Sequence, residues 1–184
     1  MEKIRCGWVG DDLLMQKYHD EEWGIATVKD DNVWFEFMIL ESFQAGLSWK
    51  TILHKRENFR EAFDNFDFVK IASYSEEKIE NLMEDSSIIR NRMKIEATIN
   101  NAKQFIKIVD EFGSFGKYIH TFIKEPIVNS WDSLEQVPSF TPLSKTISLA
   151  MKKRGFRFFG PTTCYAFLQA TGLVNDHVLT CSFR

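Results

Sequence analysis

The amino-acid sequence predicts an all-α protein, and three observations carry that prediction. The four prolines are Pro126, Pro138, Pro142 and Pro161, so the first 125 residues lack the strongest helix breaker. Apolar residues recur at helical spacing over several long segments, and strand-like alternation is hard to find anywhere. With 184 residues, 44% of them hydrophobic and 17 of them Phe, the chain can bury one substantial core but not several. The expected architecture is one unit of about eight to ten helices.

Taken in order, the segment Trp34 to Trp49, WFEFMILESFQAGLSW, carries the helical apolar period. SWKTILHKRENFREAFDNF follows as a second helix, with Ile52, Phe59 and Phe63 on one face. Ser75, just ahead of Glu76 and Lys78, opens a short helix to Met83. Arg92 to Phe112 is amphipathic through Ile95, Ile99, Ala102, Phe105 and Ile106. Between Lys124 and Pro142, two prolines, Asp132-Ser133 and the Ser139 and Thr141 hydroxyls indicate a connection with at most one helical turn. Helices resume at Leu143. A helix bearing Lys145, Lys152, Lys153 and Arg154 stops at Gly155, a turn runs to Gly160, and Pro161 takes the first position of another helix, ahead of Thr162 and Thr163. This reads as helix, hairpin, helix.

Charge narrows the partners. Against 26 acidic residues stand 23 basic ones, a net charge of −3, so no general cationic field attracts nucleic acid or an anionic membrane. A polyanion must be met locally. The free N–H groups opening the second hairpin helix, with the lysines before them, offer one such place, and binding there implies a small salt dependence. An ordinary capped αα-hairpin is the alternative. The N-terminus has no apolar signal core and no stretch is apolar enough to span a membrane. Three cysteines, Cys6, Cys164 and Cys181, argue against a disulfide framework. The expectation is a soluble cytoplasmic protein.

Two clusters could carry chemistry. Cys6 precedes His19 by 13 residues, and His177 precedes Cys181 by four, which on a helix would share one face. Two thiolates and two imidazoles suit a closed, structural zinc site that would clip the chain ends together. The alternative is that both cysteines are small buried hydrophobes. His54 reads as part of a solvated helix face. The second cluster centres on Glu41, whose helical stripe is Trp34, Phe37, Met38, Ala45 and Ser48. A carboxylate there is costly unless a polar group meets it: an Arg or Lys of the core, or a donor on a purine ligand. Trp8, Tyr18, Trp23 and Trp49 supply faces that could sandwich a planar base, or could simply be core.

These features occur together in one family. RCGWV at 5–9, YHDEEWG at 18–24, LESFQAGLSW at 40–49, HKREN at 54–58, KKRGFRFFGPTTCYAFLQATGLVNDH at 152–177 and the closing Cys181 resemble the DNA-3-methyladenine glycosylase I family over essentially the full chain. The resemblance implies a helix-hairpin-helix DNA glycosylase fold and monofunctional hydrolysis of the N-glycosidic bond of 3-methyladenine in alkylated double-stranded DNA, by a monomer acting in the nucleoid. It implies one structural Zn2+ per chain on Cys6, His19, His177 and Cys181. Glu41 becomes the catalytic and base-recognition carboxylate, within a pocket of Tyr18 and Trp49 with Trp8 and Trp23 nearby. Gly46 and Leu47 become the turn pressed into the lesion, and Gly155, Gly160, Thr162 and Thr163 the hairpin contacts. The zinc joins a terminal lobe of about 1–25 and 174–184 to a helix-hairpin-helix lobe of about 26–173. A zinc-bearing adaptor of the same fold without catalysis is the alternative.

The sequence departs from the family pattern at Ser42 and Phe43, which flank Glu41 and are expected to alter pocket shape, and at Met93 and Phe158, where glycines are usual. Related helix-hairpin-helix glycosylases place an aspartate where Asn175 stands. An amide cannot act as a base, and Asp176 beside it, if helical, points about 100° away. The cationic leaving base is already activated, so weak assistance suffices.

Overall fold

The computed structural model describes residues 3–25 and 30–184. Among these, ten α-helices run in the order α1 (Leu13–Glu21), α2 (Asp31–Gln44), α3 (Trp49–His54), α4 (Arg56–Ala62), α5 (Phe68–Ala72), α6 (Glu76–Glu84), α7 (Arg92–Phe112), α8 (Phe115–Ile119), α9 (Pro142–Lys153) and α10 (Pro161–Ala170). Two 3-10 turns, Asp64–Phe66 and Leu134–Gln136, complete the helical content. The all-α expectation holds, with one addition. Two-residue strands β1 (Ile127–Val128) and β2 (Val174–Asn175) pair in parallel, too short for any alternation to show in sequence.

Boundaries follow local chemistry. Asp30, Ser75, Asn91 and Ser114 cap α2, α6, α7 and α8 with side-chain oxygens, and Gly113, at φ 83°, ends α7. Thr141 and Ser144 form a capping box on α9. The anticipated helix from Trp34 to Trp49 stops at Gln44. Ala45 (φ −50°, ψ 114°) and Gly46 (φ 84°) form a type II turn closed by the Leu47 amide on the Gln44 carbonyl at 2.7 Å, and Ser48 then caps α3. A Cβ on Gly46 would meet nothing within 4 Å, so its requirement is purely the positive φ. Gly46→Ala is expected to cost about 1 kcal/mol in chemical denaturation; an unchanged midpoint would contradict the strain. The following segment also divides, at Lys55 and again at Asp64, where three residues in succession take φ near +50°.

The core is aromatic. Phe105 of α7 stacks on Phe115 at 4.7 Å and packs against Phe35 and Phe68, while Phe43, Phe59 and Phe63 form a second group beneath α2. HKREN is a clasp. Arg56 joins Glu36 at 2.6 Å and Glu22 at 2.7 Å, and Lys55 and Asn58 hold the Ser87 carbonyl, tying α1, α2, α4 and the 85–91 segment together.

The chain after α10 corrects the helical reading of its last residues. Asp176 follows a strand, not a helix, and is fully buried. Its carboxylate accepts from Asn129, Trp131, Tyr165 and Gln169 at 2.6–2.7 Å. Four donors on one buried carboxylate lock the 127–131 segment onto α10. Asp176→Asn, which cannot accept from all four, should lower stability by about 2–3 kcal/mol in urea; a change below the error of the measurement would remove the network from the account.

Candidate active site and metal centre

The cavity opens between α1, the α2–α3 connection and α10. About 560 Å³ in volume, it is lined by Trp8, Tyr18, Trp23, Glu41 and Trp49, joined by Val9, Met15, Gln44, Ser48, Lys50, Leu134, Val137, Ala166 and Gln169. All five sequence-predicted pocket residues therefore meet in one place. Tyr18 and Trp49 have ring centres 5.1 Å apart, and Trp8 and Trp23 likewise 5.1 Å. Ala166 and Gln169 were missed because nothing in the CYAFLQATG run distinguishes a cavity face of α10 from its core face.

Glu41 is 4% exposed, and its Oε2 has no hydrogen-bond partner. Neither of the partners imagined from sequence, an Arg or a Lys, reaches that oxygen. Burial alone pushes its carboxyl up to about 8. The Trp49 indole N–H is likewise buried and unpartnered. An orphan acceptor and an orphan donor on the wall of one apolar cavity are what a site needs for a planar heteroaromatic ligand. Ser42 and Phe43 correct an expectation: both lie outside the cavity lining. The Ser42 hydroxyl donates to the Met38 carbonyl, and Phe43 packs on Phe59 at 4.8 Å, so these departures repack the core beneath Glu41. Asn175 also lies outside the lining, its side-chain oxygen accepting from the His177 amide.

The predicted metal ligands converge too, though not by helical spacing at the C-terminal end. His19 sits on α1, while His177 to Cys181 is a turn closed by the Cys181 amide on the Val178 carbonyl. The four ligand atoms lie within 4.8 Å of one another, with sulfur–nitrogen distances of 3.6, 3.2 and 3.5 Å. Ligand bonds of about 2.0–2.3 Å in a tetrahedron give edges of roughly 3.5 Å, so the group fits one ion. The outer partners fit as well. His19 Nδ1–H donates to Asp20 at 2.8 Å, Asp20 is held by Arg5, and His177 Nε2–H donates to the Trp23 carbonyl at 3.0 Å, leaving Nε2 of His19 and Nδ1 of His177 for a metal. Gly24 (φ 76°) makes room: a Cβ there would stand 3.1 Å from the His177 ring.

At the hairpin between α9 and α10, Gly155 has φ 94°, and Gly160 precedes Pro161 with no side-chain cap, leaving the Thr162 and Thr163 end of α10 without an acceptor of its own. Phe158 stands at φ 54°, which explains the usual glycine there. Lys145, Lys152 and Lys153 are exposed, but Arg154 is not free: it forks onto Glu111 and lies over Phe112 and Tyr118. His54 pairs with Asp12, the cap of α1. Cys164, in α10, is wholly buried, its thiol pushed up to about 12, and serves packing.

An all-α helix-hairpin-helix protein with a base-sized aromatic cavity and an unpaired carboxyl in its wall has the form of a DNA glycosylase. The chain belongs to the methyladenine glycosylase family, whose model matches residues 8–184, and it is a glycosylase enzyme. It is 47% identical over 178 residues to DNA-3-methyladenine glycosylase 1 of Escherichia coli (strain K12), an alignment spanning 96% of this chain and 95% of that protein. A crystal structure of a 3-methyladenine DNA glycosylase I matches with a TM-score of 0.94 at 44% identity, covering 97% of this chain and 98% of the other. A variant of 3-methyladenine DNA glycosylase I in complex with 3-methyladenine matches at 0.92 and 33% identity, covering 97% and 96%. Among the described residues no helix is long and apolar enough to cross a membrane.

Proposed function

We propose that this chain hydrolyses the N-glycosidic bond of 3-methyladenine in alkylated double-stranded DNA, releasing the base and leaving an abasic site. The observation that carries the reading is the buried, unpartnered Glu41 Oε2 on the wall of the Trp and Tyr cavity. The flipped base stacks on the Tyr18 and Trp49 faces, with Trp8 and Trp23 closing the wall, while Glu41 accepts from its amino group. In DNA the methylated ring is cationic, which draws the carboxyl toward its ionised form. As the bond pair moves onto the ring the base becomes neutral, and water adds at the sugar carbon and gives up a proton to solvent. Stacking on the aromatic faces and the Glu41 hydrogen bond hold the departing base as its bond to the sugar lengthens.

Gly46 and Leu47 are read as the turn entering the lesion, and Gly155, Gly160, Thr162 and Thr163 as the phosphate-facing hairpin; the exposure of Gly46, Leu47, Gly155, Gly160 and Thr162 supports this. We assign Zn2+ to Cys6, His19, His177 and Cys181, where it would join residues of about 1–25 and 174–184 to the lobe of about 26–173 and supply a structural crosslink. The working form is read as a cytoplasmic monomer acting on the nucleoid.

The test is to incubate the protein with DNA treated with a methylating agent and identify the bases released. Free 3-methyladenine and intact strands bearing abasic sites are expected. Strand cleavage without added base would contradict monofunctional hydrolysis. No base release, with metal content and DNA binding retained, would favour the adaptor.

A further inference from the structure

Of the buried polar side chains of helix α7, Lys94 and Asn101 bond to backbone of other segments. Lys94, 8% exposed, donates from Nζ to the carbonyls of Phe43 and Ala45, each at 2.8 Å, and so grips the entrance of the 44–47 turn. Burial holds its ammonium below the usual lysine range. Asn101, 1% exposed, closes a ring with Arg157: its Nδ2 donates to the Arg157 carbonyl at 2.9 Å and its Oδ1 accepts the Arg157 amide at 2.8 Å. Asn100 adds a bond to the Gly155 carbonyl at 2.8 Å. Apolar residues would fill both places without desolvating an ammonium or an amide. What the polar groups add is hydrogen bonds to the backbone of the two turns, beside the apolar anchors Phe43, Phe156 and Phe159. The two surface turns they hold expose Leu47 (40%) and Phe158 (41%).

Resting on the reading that these turns meet DNA, we propose that α7 keeps the lesion turn and the hairpin in register, with Lys94 and Asn101 as positioning residues. Seven residues separate them, two helical turns or about 10 Å along the axis. One rigid helix thereby sets the spacing at which Leu47 and the hairpin engage the duplex, while the cavity itself is built by other elements.

The test compares two readouts in Lys94→Met and Asn101→Leu, which keep shape and lose the bonds. Quenching of tryptophan fluorescence by free 3-methyladenine reports the cavity, and single-turnover release of 3-methyladenine from methylated DNA reports engagement of the duplex. Each variant should bind the free base within about threefold of wild type and release it from DNA at least tenfold more slowly. Lys94→Arg, which keeps two donors, should recover most of the rate. Should Lys94→Met fail to fold, Asn101→Leu carries the same comparison. Equal losses in both readouts, or no loss in either, would overturn the register role. A wild-type protein that fails both readouts would overturn the proposed function instead.

Discussion

Replacing Glu41 by Gln is expected to slow release of 3-methyladenine at least tenfold while making the empty protein more stable. The first effect follows from the lost charge: a hydrogen bond to an ionised acceptor contributes about 1.5–3 kcal/mol, and 1.4 kcal/mol is a factor of ten. The second follows from burial. The Glu41 carboxyl sits near 8 in the folded protein against 4.5 as its ordinary value. A raised acid holds its proton in the native state where the unfolded chain has already released it. The native state therefore binds more protons between those two values, and stability falls as pH rises from about 4.5 toward 8. Gln does not titrate and escapes this loss. At pH 7.5 the variant should be more stable than wild type by about 4 kcal/mol in urea unfolding, with the difference vanishing near pH 4. Equal stability at both pH values would remove the buried, protonated carboxyl from the account.

Loss of the metal centre is expected to have the largest effect on folding. Cys6→Ser or Cys181→Ser, or a strong chelator, should lower the melting temperature by well over 10 °C and release one equivalent of zinc. A metal held by Cys6, His19, His177 and Cys181 would close a loop of nearly the whole chain, and metal-binding energy at a site absent from the unfolded state is folding energy. A loss of about 5 kcal/mol is a conservative figure beside about 10–16 kcal/mol for isolated zinc-finger peptides. The neighbours give a second readout. Trp8 lies 5.4 Å from the His19 ring and Trp23 4.7 Å from the His177 ring, so tryptophan emission should change when the ion leaves. A chelated protein with unaltered melting would mean that the four side chains pack together without needing an ion.

Much of this was legible in the sequence because the site uses residue types that are costly elsewhere. A lone carboxylate in FMILESFQAG demands a partner, and Cys and His pairs at both ends of a chain invite a common ion. The long helix Arg92–Phe112 was legible because Ile95, Ile99, Ala102 and Phe105 keep one amphipathic period along it. What could not be read was backbone dictated by tertiary contact. The turn at Ala45-Gly46 interrupts an unbroken apolar period, and the β1–β2 bridge is two residues long. Asp176 was placed on a helix because its four donors, two on α10 and two from the 129–131 segment, leave no local pattern. Ser42 and Phe43 were expected to affect pocket shape because they flank Glu41 in sequence, yet successive helical residues point about 100° apart, which turns both away from the cavity.

We assign the Glu41 carboxyl to recognition of the amino group of the excised base. Calorimetric titration of wild type and Glu41→Gln with 3-methyladenine and with its N6,N6-dimethyl analogue tests it as a double-mutant cycle. Wild type should bind the dimethyl analogue at least tenfold more weakly than 3-methyladenine, and Glu41→Gln should distinguish the two far less. A Glu41→Gln protein that keeps the full wild-type discrimination would contradict the assignment of Glu41.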